Sequence, residues 1–247
     1  MDLELKGKVA VVGGATSGLG LAIARALSAE GAEVVMVGRR AELLRTEAER
    51  IGGHPFTGDL SRREDRARLI ESTVERFGGL DILVWNTGGP AGGPAAGMAA
   101  EQARATFDSL VVPLVDLVER ALPHLRASTA GRILAVTTGG VKEPTAGMGL
   151  SNAIRPGIAG YLKTLSTELA PEGITVNNLA PGRILTQRFD DIFPDGPPAG
   201  LEEEIPLGRF GRPEEIGAAA AFLASACAAY ITGVTLVIDG GLAKGIF

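Results

Sequence analysis

Two rhythms of apolar and polar positions alternate along this chain. Val9-Ala10-Val11-Val12 is an unbroken apolar run, mostly β-branched, which predicts a buried strand. Directly after it Leu19, Ala22, Ile23, Ala26 and Leu27 recur at helical spacing, and Gly31 is placed to close the helix. The exchange then repeats. Further strands are predicted at 34–37, 80–85, 133–137, 175–179 and 234–238. Helices are predicted at 41–50, at 101–122, in a segment ending near 170 and at 218–224. Another runs from a capping box at Ser61 and Glu64 to Phe77. Alternating strands and helices imply an α/β fold, a doubly wound parallel sheet with helices on both faces. Such sheets bind ligands at the carboxyl ends of their strands, near the point where strand order reverses.

No composition break or linker divides the 247 residues, so 1–247 reads as a single domain. An apolar fraction of 45% suffices for a sizeable core. The net charge is −5 and the basic residues are scattered, which argues against nucleic acid as a partner. Met1-Asp2-Leu3-Glu4 lacks the basic and apolar regions of a signal peptide, so none is expected. Residues 216–238 carry no charge until Asp239, yet they are alanine-rich and interrupted by Gly217, Ser225, Thr232, Gly233 and Thr235. They read as a buried helix, a turn and a strand rather than a membrane span. The single cysteine, Cys227, cannot form an internal disulfide; it fits a cytoplasmic protein and reads as a small buried hydrophobe.

The loop Gly13-Gly14-Ala15-Thr16-Ser17-Gly18-Leu19-Gly20 joins the first strand to the first helix. A helix N-terminus offers unpaired N–H groups and a positive dipole end to an anion. Glycines let a diphosphate approach without a Cβ in the way. A glycine triple alone is a weak signal in a chain with 35 glycines; the strand–loop–helix setting gives it weight. Asn86-Thr87-Gly88-Gly89, Thr137-Thr138 and Pro181-Gly182 also follow predicted strand ends, so they belong on the same rim. Two loops stand out. Residues 88–97 are mostly glycine, proline and alanine. Residues 183–210 form a long stretch that is either a lid over the substrate or a surface excursion.

The second predicted strand ends Val37-Gly38-Arg39-Arg40, about twenty residues past the glycine loop. An acid there would accept from the ribose hydroxyls of NAD. Gly38 removes the acid, and Arg39 offers a charge-assisted fork to a 2′-phosphate. The chain is therefore expected to prefer NADP(H), with NAD(H) the alternative. No metal site is expected.

Taken together, Gly14, Gly18 and Gly20, Asp59-Leu60, Trp85-Asn86-Thr87-Gly88, Asn178-Leu179-Ala180-Pro181-Gly182 with Thr186, Tyr230-Ile231-Thr232-Gly233 and Asp239-Gly240-Gly241 resemble the short-chain dehydrogenase/reductase family. The likeness is greatest to its beta-ketoacyl (3-oxoacyl) reductase-like members and covers nearly the whole chain. It implies one Rossmann-type domain and an oxidoreductase. It implies cofactor contacts from Gly14, Thr16, Ser17, Gly18, Leu19 and Gly20 in the loop, and from Arg39 and Arg40. Asp59 and Leu60 would flank the adenine. Asn86 and Gly88 would also contact the cofactor, and Arg155, Pro181, Gly182, Ile184 and Thr186 would approach the nicotinamide end. Assembly as a homodimer or homotetramer is implied as well. Leu110, Val111, Leu114, Val115, Leu117 and Val118 cover more of a helix than one core stripe requires, through either an interface or core packing.

The family's proton chemistry uses a tyrosine, a lysine four residues later, a serine and a helix asparagine. Aligned without gaps from Lys163 to Gly173, the tyrosine place holds Ser151 and the lysine place Arg155; the serine place holds Thr138 and the asparagine place Leu110. Tyrosine has a pKa of about 10, which a nearby cation can tune; a serine hydroxyl is a far weaker acid. Tyr161 lies about 15 Å further along the same helix and is no substitute. Pro156 leaves the start of that helix open, at Ser151 or at Pro156 itself. Two readings follow. One is an enzyme of altered mechanism, with Thr138, Ser151 and Arg155 polarising a carbonyl. The other is a dinucleotide-binding sensor, regulatory subunit or scaffold without turnover.

Overall fold

A computed structural model describes residues 1–246; Phe247, the last residue of the domain drawn from the sequence, lies outside the described residues. Seven strands form one sheet: β1 (Val9–Val12), β2 (Glu33–Gly38), β3 (His54–Thr57), β4 (Ile82–Trp85), β5 (Arg132–Val136), β6 (Thr175–Pro181) and β7 (Thr235–Ile238). Their order is β3-β2-β1-β4-β5-β6-β7 and every pairing is parallel. Between them run α1 (Gly18–Ala29), α2 (Ala41–Ile51), α3 (Arg63–Phe77), α4 (Ala100–Leu110), α5 (Val112–Ala127), α6 (Gly149–Leu169), α7 (Gln187–Ile192) and α8 (Pro213–Ala224). The strand order reverses between β1 and β4, so their carboxyl ends open the crevice expected of a doubly wound sheet.

Period-two alternation splits the strand residues between two cores. Val11, Val35, Leu83, Trp85 and Ile133 face α3, α5 and α6, against Leu69, Leu114, Leu117 and Leu162. Ala10, Val12, Met36, Val84 and Leu134 face α1, α2 and α8, against Ile23, Leu27, Leu44 and Ala220. Both faces being covered explains why the strands read as unbroken apolar runs. Helices α1 and α8 lie close together because Gly217 has no side chain: a Cβ there would sit 2.6 Å from the Ala22 carbonyl oxygen.

Several local expectations are corrected. Strand β3 was not anticipated from the sequence; it is an edge strand with Pro55 inside it, and only alternate residues are half-buried. The helix expected over 101–122 is two helices broken at Val111. Pro113 has no N–H to continue the first helix and starts the second instead. The Ser61 capping box does not form. The Ser61 hydroxyl donates to Asp59 Oδ1 at 2.8 Å, Asp65 accepts the Asp59 N–H at 2.8 Å, and α3 begins at Arg63. Cys227 is exposed, because the 3-10 turn after α8 buries Ala228 and leaves the thiol near the Asp2 carbonyl. Of the apolar excess on α4 and α5, Leu110, Leu114, Leu117 and Val118 are core residues, while Val111 and Val115 are half-buried.

The start of the sixth helix is resolved in favour of the earlier residue. Helix α6 begins at Gly149 and Pro156 lies within it. Proline disfavours helical geometry at Arg155 and cannot donate to the Asn152 carbonyl. Tertiary contacts hold the first turns regardless. The Gly149 N–H donates to the Gly93 carbonyl at 2.9 Å, and the Asn152 side chain both donates to and accepts from the Thr145 backbone. Ser151 and Arg155 are therefore one turn apart on the same helix. No helix among the described residues is long and apolar enough to cross a membrane.

Candidate functional site

A cavity of about 880 Å³ opens at the carboxyl ends of the strands. Its floor is the glycine loop. Gly14 and Gly18 have φ of +59° and +56°, a region that favours glycine. A Cβ on Gly20 would collide with the Gly14 carbonyl oxygen, so the loop closes on itself only without one. Ser17 is the N-cap of α1, but its side chain makes no cap hydrogen bond. Its Oγ and the Thr16 Oγ1 instead accept from Arg40 Nη2, each at 2.7 Å. The first N–H groups of α1 therefore have no side-chain acceptor, and a guanidinium lies beside them. This suits a diphosphate.

Gly14, Ser17, Gly18 and Leu19 line the cavity, as do Arg39 and Arg40 at the end of β2. Thr16, Gly20, Asp59 and Leu60 stand behind this wall. Thr16 is tied to Arg40, and Leu60 packs under Gly13. Asp59 lies 3.9 Å from Arg39. Partial burial alone would raise the Asp59 carboxyl. Hydrogen bonds from the Ser61 N–H and hydroxyl, with the Arg39 charge, outweigh burial and hold it below the usual carboxylate range. A Cβ at Gly38 would sit 2.5 Å from Thr16 Cγ2, so a side chain at that strand end would have to displace the Thr16 side chain.

The opposite wall comes from β4, β5, β6 and α6. Asn86 Nδ2 donates to the Gly13 carbonyl at 3.1 Å and braces the glycine loop. Gly88 lines the cavity after it. Pro181 ends β6, Gly182 and Ile184 follow it on the rim, and Thr186 caps α7 by accepting the Phe189 N–H at 3.3 Å. Thr186 closes over Gly18, with its Cγ2 at 3.5 Å from where a Gly18 Cβ would be. Thr138, Ser151 and Arg155 line the inner end together. Leu110 does not; it is 5% exposed inside the core, where its side chain can hold no water.

Arg155 is 8% exposed and donates one hydrogen bond, from Nη1 to the Val136 carbonyl at 3.2 Å. Burial, with a smaller push from the Arg188 charge, lowers its pKa to about 10. It is still a cation at neutral pH and cannot act as a general acid there. Neither tyrosine reaches the cavity. Tyr161 packs on the core of the α5–α6 side, and burial first, then Glu119 and Glu168, raise its phenol to about 12. Tyr230 is fully exposed, between the 3-10 turn after α8 and β7. Among the described residues no side chain hydrogen-bonds the Ser151 hydroxyl, so nothing activates it.

Residues 183–210 are a built element rather than an open excursion. Phe189 stacks at tilted angles on Phe193 and Phe210, with centroids 5.0 and 4.9 Å apart, and Arg183 pairs with Glu204. Residues 88–97 are held at Gly93 by its N–H donating to the Gly147 carbonyl at 2.6 Å. The two loops meet where Arg188 Nη2 donates to the Pro90 carbonyl at 2.8 Å. Arg188, Asn152, Glu143 and Lys244 also line the cavity and were not foreseen from the sequence. Only Arg188 had a readable signal, two residues beyond Thr186. The C-terminal segment that carries Lys244 approaches through its backbone N–H, which donates to Glu143, and nothing in its composition marks that.

Comparison with known proteins gives a consistent set. A family model described as enoyl-(acyl carrier protein) reductase matches residues 14–243. Dehydrogenase/reductase SDR family member 4 of Sus scrofa is 36% identical, over 97% of this chain and 88% of its own. The 3-oxoacyl-(acyl-carrier-protein) reductase of Vibrio cholerae is 33% identical, over 97% of this chain and 99% of its own. Among solved structures, L-sorbose reductase from Gluconobacter frateurii, complexed with NADPH and L-sorbose, superposes with a TM-score of 0.91. It shares 31% identity over the full length of both chains.

Proposed function

This chain belongs to the short-chain dehydrogenase/reductase family, in its 3-oxoacyl reductase-like part, and we propose that it is an NADP(H)-binding oxidoreductase with altered proton chemistry. The observation that carries the reading is the glycine loop closed on itself under Arg39 and Arg40, at the reversal of strand order. In this reading the first turn of α1 holds the diphosphate, the two arginines hold a 2′-phosphate, and Asn86, Pro181, Ile184 and Thr186 border the nicotinamide. Relatives that bind NADPH, such as the sorbose reductase, support the cofactor choice. NAD(H) is the weaker ligand here because the strand end offers two cations and no free acid.

When bound, the nicotinamide supplies the hydride. The chain's own residues then have to hold the carbonyl and manage its charge. Thr138 and Ser151 donate hydroxyl hydrogen bonds, and Arg155 places a fixed positive charge on the same wall. The proton comes from water, since neither tyrosine lines the cavity and the Ser151 hydroxyl is a weak acid. The long element 183–210 serves as the lid that shields the site. A second reading, dinucleotide binding without turnover, is favoured by one observation: neither tyrosine reaches the cavity.

Titrating NADPH and NADH against the purified chain tests the cofactor assignment. Arg39→Asp is expected to reduce the NADPH-to-NADH affinity ratio about tenfold, the effect of losing one charge-assisted contact and adding a repulsion. An unchanged ratio contradicts the preference, and no binding of either by wild type removes the reading. Assembly as a homodimer or homotetramer is part of the same proposal. Phe107 and Val112 leave apolar surface at the α4–α5 junction, 47% and 45% exposed. Light scattering at micromolar concentration is expected to give a multiple of the chain mass, and Val112→Glu to reduce it; a wild-type monomer contradicts this.

A further inference from the structure

We propose that Arg155 and Arg188 together form a subsite for a carboxylate of the substrate, so that the carbonyl compound taken by this cleft is a small oxo acid; this rests on the dinucleotide reading above. Arg155 is more than nine-tenths buried, yet it makes one hydrogen bond, to a neutral carbonyl. Its Nη2 lies against Gly89, 3.2 Å from where a Cβ would be. Arg188 reaches the same turn from α7 and donates to Pro90. The two guanidinium groups thus bracket Gly89-Pro90, with Arg188 close enough for its charge to act on Arg155. Among the described residues neither has a carboxylate within 4.0 Å.

This arrangement lacks its counter-charge. A guanidinium taken out of water is destabilising unless an anion meets it. A second cation beside it adds repulsion that a bridging carboxylate removes. Among the described residues three acids line the cavity, Glu143, Asp191 and Asp239, and none lies within 4.0 Å of either guanidinium. Asp239 accepts the N–H groups of Gly241 and Ala243, and Glu143 accepts that of Lys244. The anion must therefore enter with a ligand. In the dinucleotide reading the cofactor's phosphates have their own partners, at the start of α1 and at Arg39 and Arg40. The Arg155–Arg188 pair belongs to a different turn, beside Thr138 and Ser151, where a substrate carbonyl would be held. Two planar forks on one carboxylate also fix the carbonyl's position, which a chain with a weak acid needs more than most.

Acetoacetate and 2-oxoglutarate, each compared with its methyl ester, are suitable probes. They would be titrated into the chain with and without NADPH, and read by calorimetry and by thermal shift. An acid is expected to bind at least about tenfold more tightly than its ester, the usual margin for charge-assisted hydrogen bonds. Arg188→Gln is expected to abolish that margin while leaving NADPH affinity within about twofold. Arg188 is exposed with a single backbone contact, so this variant keeps the fold; Arg188→Lys should restore part of the margin. Equal binding of acid and ester overturns the proposal. So does Arg188→Gln weakening NADPH as much as it weakens the acid, since the anion would then be the cofactor's. If NADPH fails to bind but the Arg188-dependent margin persists, the dinucleotide reading falls and the subsite stands. If neither ligand binds, both fall.

Discussion

Ser151→Tyr combined with Arg155→Lys raises the rate of NADPH-dependent carbonyl reduction by about 10²–10⁴-fold, the range that a positioned general acid supplies. In the proposed reading the wild-type cleft holds cofactor and carbonyl, and neither tyrosine lines it. A serine hydroxyl is too weak an acid, and among the described residues no side chain hydrogen-bonds Ser151 to change that. Arg155 keeps its proton even with its pKa lowered to about 10. A phenol at 151, one turn before a lysine at 155 on α6, has a cation to pull its pKa down from about 10. The exchange Arg155→Lys preserves the positive charge, so any carboxylate partner keeps an attraction on that wall. The rate is followed by NADPH absorbance over a panel of carbonyl compounds that includes oxo acids. The double variant is expected to show a pH profile with one ionisation that wild type lacks. A wild-type rate equal to that of the double variant would show that the missing acid does not limit turnover.

Ser17→Asp weakens NADPH binding about 100-fold while leaving the protein as stable as before or more so. Ser17 is the N-cap of α1, and aspartate is at least as good there as serine. The first-turn N–H groups and Arg40 would gain a carboxylate of the chain's own. That carboxylate lies where the diphosphate is proposed to rest. Two like charges about 4 Å apart cost from about 1 to about 4 kcal/mol, depending on local screening, and the diphosphate carries more than one. Fluorescence titration measures the affinity and thermal melting the stability. Weaker binding with an undiminished melting temperature separates a blocked cradle from a damaged fold. Undiminished binding would place the diphosphate elsewhere.

The elements with strong periodicity were legible in the sequence, and so was the rim they build. The run Val9 to Val12, the glycine loop and the spacing of Leu19, Ile23 and Leu27 give β1, its turn and α1 with one register. Edge strand β3 was not legible, because its four residues include a proline and bury only alternate side chains, too weak a pattern to separate from a loop. Pro113 breaks one predicted helix, whereas Pro156 sits inside another. The difference is tertiary: Gly93 and Thr145 hold the first turns of α6, and no local rule contains those contacts. The unpaired character of Arg155 was equally hidden. It depends on Arg188 and Pro90, which are 33 and 65 residues away in the chain but share one turn of the cleft.

Crystals grown with NADPH give the most direct measurement. The account predicts the diphosphate against Ser17 to Gly20, the 2′-phosphate beside Arg39 and Arg40, and Arg155 near the nicotinamide end with no phenol within hydrogen-bond reach of the substrate position. A diphosphate bound away from the first βα turn would contradict it, as would a tyrosine from a neighbouring copy poised over the nicotinamide.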